Sequence, residues 1–138
     1  MLIRISAVTV YINLPVHDIE RARDFFGAVG FSFDERFCTD DALAMTVNDS
    51  CHAMLLDRAR CASFSPRPVA DPHDTAQVLT DLQLESRQAV DALIDLAVAN
   101  GGKDVREPID YGFKYGRAFA DPDAHIWEPF WFSPEAVG

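Results

Sequence analysis

Basic residues are scarce in this chain: 12 lysines and arginines stand against 22 aspartates and glutamates, a formal net charge of -10. So acidic a chain cannot neutralise a phosphate backbone, which excludes DNA and RNA as expected partners and disfavours an anionic membrane surface. Cysteine is scarce too. Cys38, Cys51 and Cys61 are odd in number and lack C-x-x-C spacing, so no disulfide framework is implied and free thiols in a reducing compartment are expected. No run of about eighteen unbroken apolar residues exists to span a bilayer, and the first residues lack a basic stretch followed by a long apolar run and a cleavage site. The expected location is therefore the cytoplasm. What is present is ordinary for a soluble protein: 138 residues, 49% hydrophobic and 25% charged, enough for one fold unit, whether single or of two halves, with a real core.

The pattern along the chain is repeated. Val8, Val10, Ile12, Leu14 and Val16 alternate with Thr9, Tyr11, Asn13 and Pro15, as the two faces of a strand do. Asp18 reads as the N-cap of a helix with an apolar stripe of Ile19, Ala22, Phe25 or Phe26 and Val29, stopped at Gly30. Strand-like runs follow at 31–38, 42–47 and 51–56, separated by Asp40-Asp41 and Asn48-Asp49-Ser50. The second half has the same order. Val78, Thr80, Leu82 and Leu84 alternate with Leu79, Asp81 and Gln83; Ser86 caps a helix carrying Val90, Leu93, Ile94 and Ala97; Asn100-Gly101-Gly102 ends it. Strand-like runs near Val105, at 115–120 and at 126–132 complete the set. Two βαβββ modules are expected, 1–58 and 75–138, joined by a Pro-rich linker or lid loop over 59–74, in an α+β fold whose sheets curve around a cleft.

The last strand carries the chemistry. Asp121-Pro122-Asp123-Ala124 is a turn sequence, and after it Glu128 stands alone among Ile126, Trp127, Phe130, Trp131 and Phe132. A carboxylate in such surroundings needs a cation, a metal, a proton or water. Glu128 is thus the candidate catalytic residue. Tyr111, Lys114, Tyr115 and Arg117 stand on a glycine-punctuated stretch where backbone can approach a ligand, with Arg117 the expected partner of Glu128 or of an anionic group. Tyr11, Asn13 and Asp81 are expected on the cleft faces of the first strands, and Trp127 as an aromatic platform.

The segments Asn13-Leu-Pro-Val-His-Asp18, Ala22-Arg-Asp-Phe-Phe26, Gly30-Phe31, Asn100-Gly-Gly102 and Asp121-Pro-Asp-Ala-His-Ile-Trp-Glu128 resemble the vicinal oxygen chelate superfamily, which includes glyoxalase I, bleomycin- and fosfomycin-resistance proteins and extradiol dioxygenases. The resemblance implies paired βαβββ modules, often in a homodimer, and in metal-dependent members two ligands from each module. The matching positions here are Tyr11, Leu79, Glu128 and Met54 or Leu55, of which only Glu128 has ligand chemistry suited to a hard or borderline cation. The expectation is a protein that binds a small, partly apolar or aromatic molecule without a metal or other cofactor, by binding alone or with acid-base help from Glu128. The alternative is a metal-dependent lyase or dioxygenase with a non-standard set such as His52 with Glu128.

Overall fold

The computed structural model describes residue 2 and residues 5–137. The chain divides at Val69/Ala70 into two compact units. The first contains β1 (Val10–Val16), α1 (Ile19–Ala28), β2 (Ser32–Phe33), β3 (Ala42–Asn48), β4 (Cys51–Asp57) and α2 (Arg58–Phe64). The second contains β5 (Leu79–Gln83), α3 (Arg87–Ala99), β6 (Lys103–Asp104), β7 (Ile109–Asp110), β8 (Lys114–Gly116), β9 (Phe119–Ala120) and β10 (Ile126–Phe132).

The sheet of the first unit has the order β1-β4-β3-β2, with β1 parallel to β4 and the other neighbours antiparallel. The second unit repeats this scheme with interrupted strands. Its β10 lies parallel to β5 and antiparallel to both β9, through Ile126 and Trp127, and β8, through Phe130 to Phe132. β8 and β9 are thus one strand broken at Arg117-Ala118, and β6 and β7, which pair with β9 and β8 respectively, are its neighbour broken at 105–108. Both units have the expected βαβββ order, and the fold is α+β.

Each helix starts and stops for reasons visible in its ends. The Asp18 carboxylate accepts from the Arg21 N–H at 3.1 Å and the Ser86 hydroxyl from the Ala89 N–H at 3.0 Å, satisfying donors that the first turn leaves free. At the other end, the Phe31 N–H reaches back to the Phe26 carbonyl at 2.9 Å and the Gly102 N–H to the Ala97 carbonyl at 2.8 Å. Both closures pass through a glycine with positive φ, Gly30 at 109° and Gly101 at 103°, the geometry of a Schellman cap. α1 buries Ala22, Phe25 and Phe26 against β3 and β4, where Leu43, Met45, Ala53 and Leu55 are also buried. α3 buries Val90, Ile94 and Ala97 on the sheet face that carries Phe119 and Trp127, stacked at 6.5 Å. At about 1.5–3 kcal/mol for each fully buried large side chain, these stripes dominate what holds a helix to its sheet.

Two expectations change. The run 31–38 is a strand only at β2, because the Asp34 carboxylate accepts from the Arg36 N–H at 3.2 Å and starts a 3-10 turn at Glu35–Phe37. The segment 59–74, read as linker or lid, begins with most of α2. Asp57, the last residue of β4, caps that helix by accepting from the Arg60 N–H at 2.7 Å, and α2 packs against β1 and β4.

Candidate functional site

Alternation along β10 sends Trp127, Pro129 and Trp131 to one face of the second sheet, and Glu128, Phe130 and Phe132 to the other. α3 covers the first face. On the second, Glu128 lies directly beside Asp81, its register partner on β5. The matching pair in the first unit is Met54 with Asn13, so Asn13 and Asp81 do occupy equivalent positions in their units. A cavity of about 150 Å³ opens here, lined by Asp81, Arg106, Tyr111, Lys114, Glu128 and Phe130 among others.

The Arg106 guanidinium donates to Glu128, whose side chain is only 15% exposed. Arg106 stands at the break between β6 and β7, where the backbone leaves the sheet and lets a long side chain turn over its face. Asp81 and Glu128 share a hydrogen bond with each other. Two carboxyls in that contact titrate as a coupled pair, and their environments push them in opposite directions. Burial, and then the hydrogen bond and charge of Glu128, push the Asp81 carboxyl up; the hydrogen bond to Asp81 and those from Arg106 hold Glu128 below the usual range. Asp81 is therefore the more easily protonated of the pair and Glu128 the more easily ionised. Lys114 stands over the Phe130 ring at 5.1 Å and the Phe132 ring at 5.3 Å, where it also attracts both carboxyls. Tyr111, 64% exposed, stacks on Phe113 across a tight β7–β8 turn whose Gly112 has φ 81°.

Of the residues singled out from sequence, the structure brings together Glu128, Asp81, Tyr111 and Lys114. Arg117 borders the cavity, but its guanidinium turns to the opposite sheet face, 2.9 Å from Asp91 and 2.7 Å from Asp104; the expected Arg117–Glu128 pair is replaced by Arg106–Glu128. Tyr115 also leaves the cavity: its hydroxyl donates to Asp91 at 2.7 Å, which fixes it on the α3 side. Trp127 is not a ligand platform. It is 1% exposed, on the α3 face, and its indole N–H donates to Asp121 at 3.0 Å. Tyr11 and Asn13 lie exposed on β1 and do not line this cavity; Tyr11 stacks on His52 at 4.9 Å. Arg106 is the functional residue that sequence reading missed, because it sits where β6 and β7 are interrupted and no alternation places it.

A larger depression of about 600 Å³ lies at the start of α1. Three of the five carboxylates that line it are already used: Asp18 and Asp57 cap helices, and Glu35 pairs with Arg23. The acid-base pair makes the smaller cavity the candidate site.

The positions that the resemblance assigns to metal ligands do not fit a divalent cation. Glu128 is occupied by Arg106, whose charge opposes a metal beside it, and Leu79 offers no donor on the same face. Among the described residues no three His, Cys, Asp or Glu side chains are placed to hold one ion.

The fold has many solved relatives. Hypothetical protein SA1046 from S. aureus is 24% identical, with 87% of this chain and 90% of that one covered at a TM-score of 0.76. A glyoxalase-related enzyme from Fulvimarina pelagi is 20% identical over 91% of this chain and 88% of its own, TM-score 0.78. A glyoxalase/bleomycin resistance protein/dioxygenase family enzyme from Burkholderia phytofirmans PsJN is 19% identical over 88% and 96%, TM-score 0.72. Identities this low show a shared fold. No curated protein sequence matches the chain. The model of the glyoxalase/bleomycin resistance protein/dioxygenase superfamily matches residues 8–128, most of the sequence and both βαβββ units, and the chain belongs to that superfamily.

Proposed function

We propose that this protein binds a small, partly apolar or aromatic molecule on the open sheet face of its second unit, without the divalent metal of the metal-dependent members. The observation that carries this reading is the partnership of Glu128. It stands at the family's last-strand ligand position, yet its lone pairs are taken by the Arg106 guanidinium and by the hydrogen bond with Asp81. Those groups give the site acid-base capacity of its own. Asp81 can present a proton to a ligand oxygen or nitrogen, and Glu128, held ionised, can take one back through Asp81. Phe130 and Tyr111 supply apolar surface, in the arrangement usual for small-molecule sites: few polar groups set in aromatic walls. On the resemblance alone the working assembly is a homodimer, and the three cysteines, unpaired in the structure, suit a reducing cytoplasm.

The test is elemental analysis of protein purified without chelators, followed by Zn²⁺, Ni²⁺, Mn²⁺ and Fe²⁺ titrations of the wild type and Glu128→Gln, and a thermal-shift screen of small aromatic compounds. The expected result is far less than one metal per chain, with melting temperature raised by some of the compounds. One equivalent of metal in the wild type and none in Glu128→Gln would restore the metal-dependent lyase or dioxygenase reading. A screen that raises no melting temperature would remove the binding role.

A further inference from the structure

We propose that Arg106 is a tethered cation that holds the place of the divalent metal of the metal-dependent members, and that its charge is what keeps such a metal off Glu128 and Asp81. This rests on the metal-free reading above and adds the residue that enforces it.

The sheet is irregular where it delivers this residue. Lys103 and Asp104 pair with Ala120 and Phe119, and Ile109 and Asp110 pair with Gly116 and Tyr115, so residues 105–108 stand opposite only Arg117 and Ala118. Strict alternation would return Arg106 to the face of Asp104, whose carboxylate meets Arg117 at 2.7 Å on the α3 side. The extra residues re-aim it, as bulges beside functional sites do, and its guanidinium reaches Glu128 on the other face. Among the described residues Glu128 is its one hydrogen-bond and ion-pair partner.

A chain of this fold can lose a metal for want of donors or because the place is taken. Leu79, at the first-strand ligand position, is a missing donor. Missing donors weaken a site without closing it, since a hard cation such as Mn²⁺ accepts one or two carboxylates with water in its remaining positions. Asp81 and Glu128 are such a pair: register partners on adjacent parallel strands, with their side chains in contact on one face. What closes the place is the guanidinium. An ion reaching Glu128 has to displace Arg106 and then lie beside its charge, at a side chain only 15% exposed where water screens little. Being part of the chain, the guanidinium is also present at an effective concentration that a free ion does not match. Lys114, held over the Phe130 and Phe132 rings, forms no ion pair with either carboxylate, so the exclusion falls to Arg106.

The experiment records ¹⁵N–¹H correlation spectra of the full chain as Mn²⁺ is added, because this ion broadens the amides near the place where it binds. Exposed carboxylates elsewhere, and Lys114, are common to every variant and serve as the reference. In the wild type the amides of Asp81, Leu82 and Glu128 are expected to stay sharp while amides beside exposed carboxylates broaden. In Arg106→Gln, which removes the charge, they are expected to broaden at a Mn²⁺ concentration at least about tenfold lower than in the wild type. Arg106→Lys, which keeps the charge, should resemble the wild type, and Arg106→Gln combined with Glu128→Gln should lose the new site. The metal-free spectrum of each variant reports whether it is folded. If Arg106→Gln unfolds, Ca²⁺ but not K⁺ is expected to restore its spectrum, and failure to do so counts against the proposal. Sharp amides in a folded Arg106→Gln, or equal broadening in Arg106→Gln and Arg106→Lys, would overturn the role of the charge and leave the metal-free reading in place, with the missing donors as its cause. Broadening at Glu128 in the wild type by about one equivalent of Mn²⁺ would overturn both.

Discussion

Asp121 and Glu128 are two acidic residues seven positions apart whose surroundings make one a structural anchor and the other a chemical group. The Asp121 side chain, 4% exposed, accepts from the Asp123 N–H at 2.9 Å, the His125 N–H at 3.0 Å and the Trp127 indole N–H at 3.0 Å. It closes the turn in which Ala124 takes φ 71°, and it ties that turn to the indole packed under α3. Asp121→Ala strands three donors, one of them a fully buried indole, at about 1–3 kcal/mol each. The expected loss is at least about 3 kcal/mol in urea unfolding; a loss below about 1 kcal/mol would mean that water replaces the carboxylate. The turn character of Asp121-Pro-Asp was readable from residue type, but its reach to Trp127 was not, because a bond between residues six apart depends on how the strand after the turn is aimed. The same limit applies to Glu128. Its need for a partner followed from its apolar neighbours, while the choice of Arg106 over Arg117 depends on which face each arginine takes. Arg117 precedes β9 on the α3 side, next to Tyr115 in the Asp91 network, and that network consumes it.

Elements with both ends marked by local chemistry were the ones legible in advance. α1 and α3 each have a capping oxygen, a stripe at helical spacing and a terminal glycine, and all three signals act within one turn of the chain. The strands of the second unit were less legible. The run 115–120 reads as continuous and keeps one register on β10 across Arg117-Ala118, where the Arg117 N–H still reaches the Pro129 carbonyl at 3.0 Å, whereas its other neighbour changes register between β6 and β7, which the sequence pattern does not show. α2 was missed because its cap, Asp57, is also the last residue of a strand. The two glycine stops are testable as a pair. Nothing lies within 4 Å of a Cβ added at Gly30 or Gly101, so any penalty at either position comes from the left-handed backbone and not from crowding. Gly30→Ala and Gly101→Ala are each expected to destabilise by about 1–2 kcal/mol, with Asn replacing glycine at a smaller loss. Equal stability of the alanine and glycine forms in chemical denaturation would show that the helix ends relax to another conformation.

At the scale of the molecule, the acidic excess is answered by arginines distributed over both units. Glu35 is held below the usual carboxylate range chiefly by its hydrogen bonds to Arg23, Asp34 by Arg36, and Asp91 by Tyr115 and then Arg117. Asp110 goes furthest, to about 2, through two hydrogen bonds from Arg87 and then the Gly112 N–H. A carboxyl with a depressed folded pKa binds protons more weakly folded than unfolded, so its contribution is present above the unfolded value, near about 4, and is lost as pH falls through the folded value. Asp81 has the opposite sign. Raised by burial and by Glu128, it favours the folded state while protonated, and that contribution fades as pH rises through its raised value. The exposed pairs are individually weak and screened by salt, so the combined effect is a gradual acid slope and not a single step. Urea unfolding followed by circular dichroism should therefore give a stability that declines from about pH 4 toward pH 2. Arg87→Met keeps apolar cover over Tyr115 and Trp131, which the guanidinium overlies at 5.0 and 5.2 Å, but removes the largest cause that lowers Asp110, leaving only the Gly112 N–H. Its slope between about pH 2 and 4 should be shallower than that of the wild type, because the two states of the variant then take up the Asp110 proton over closer ranges. Parallel slopes would mean that Asp110 titrates normally in the native protein and that the Arg87 contact contributes through packing alone.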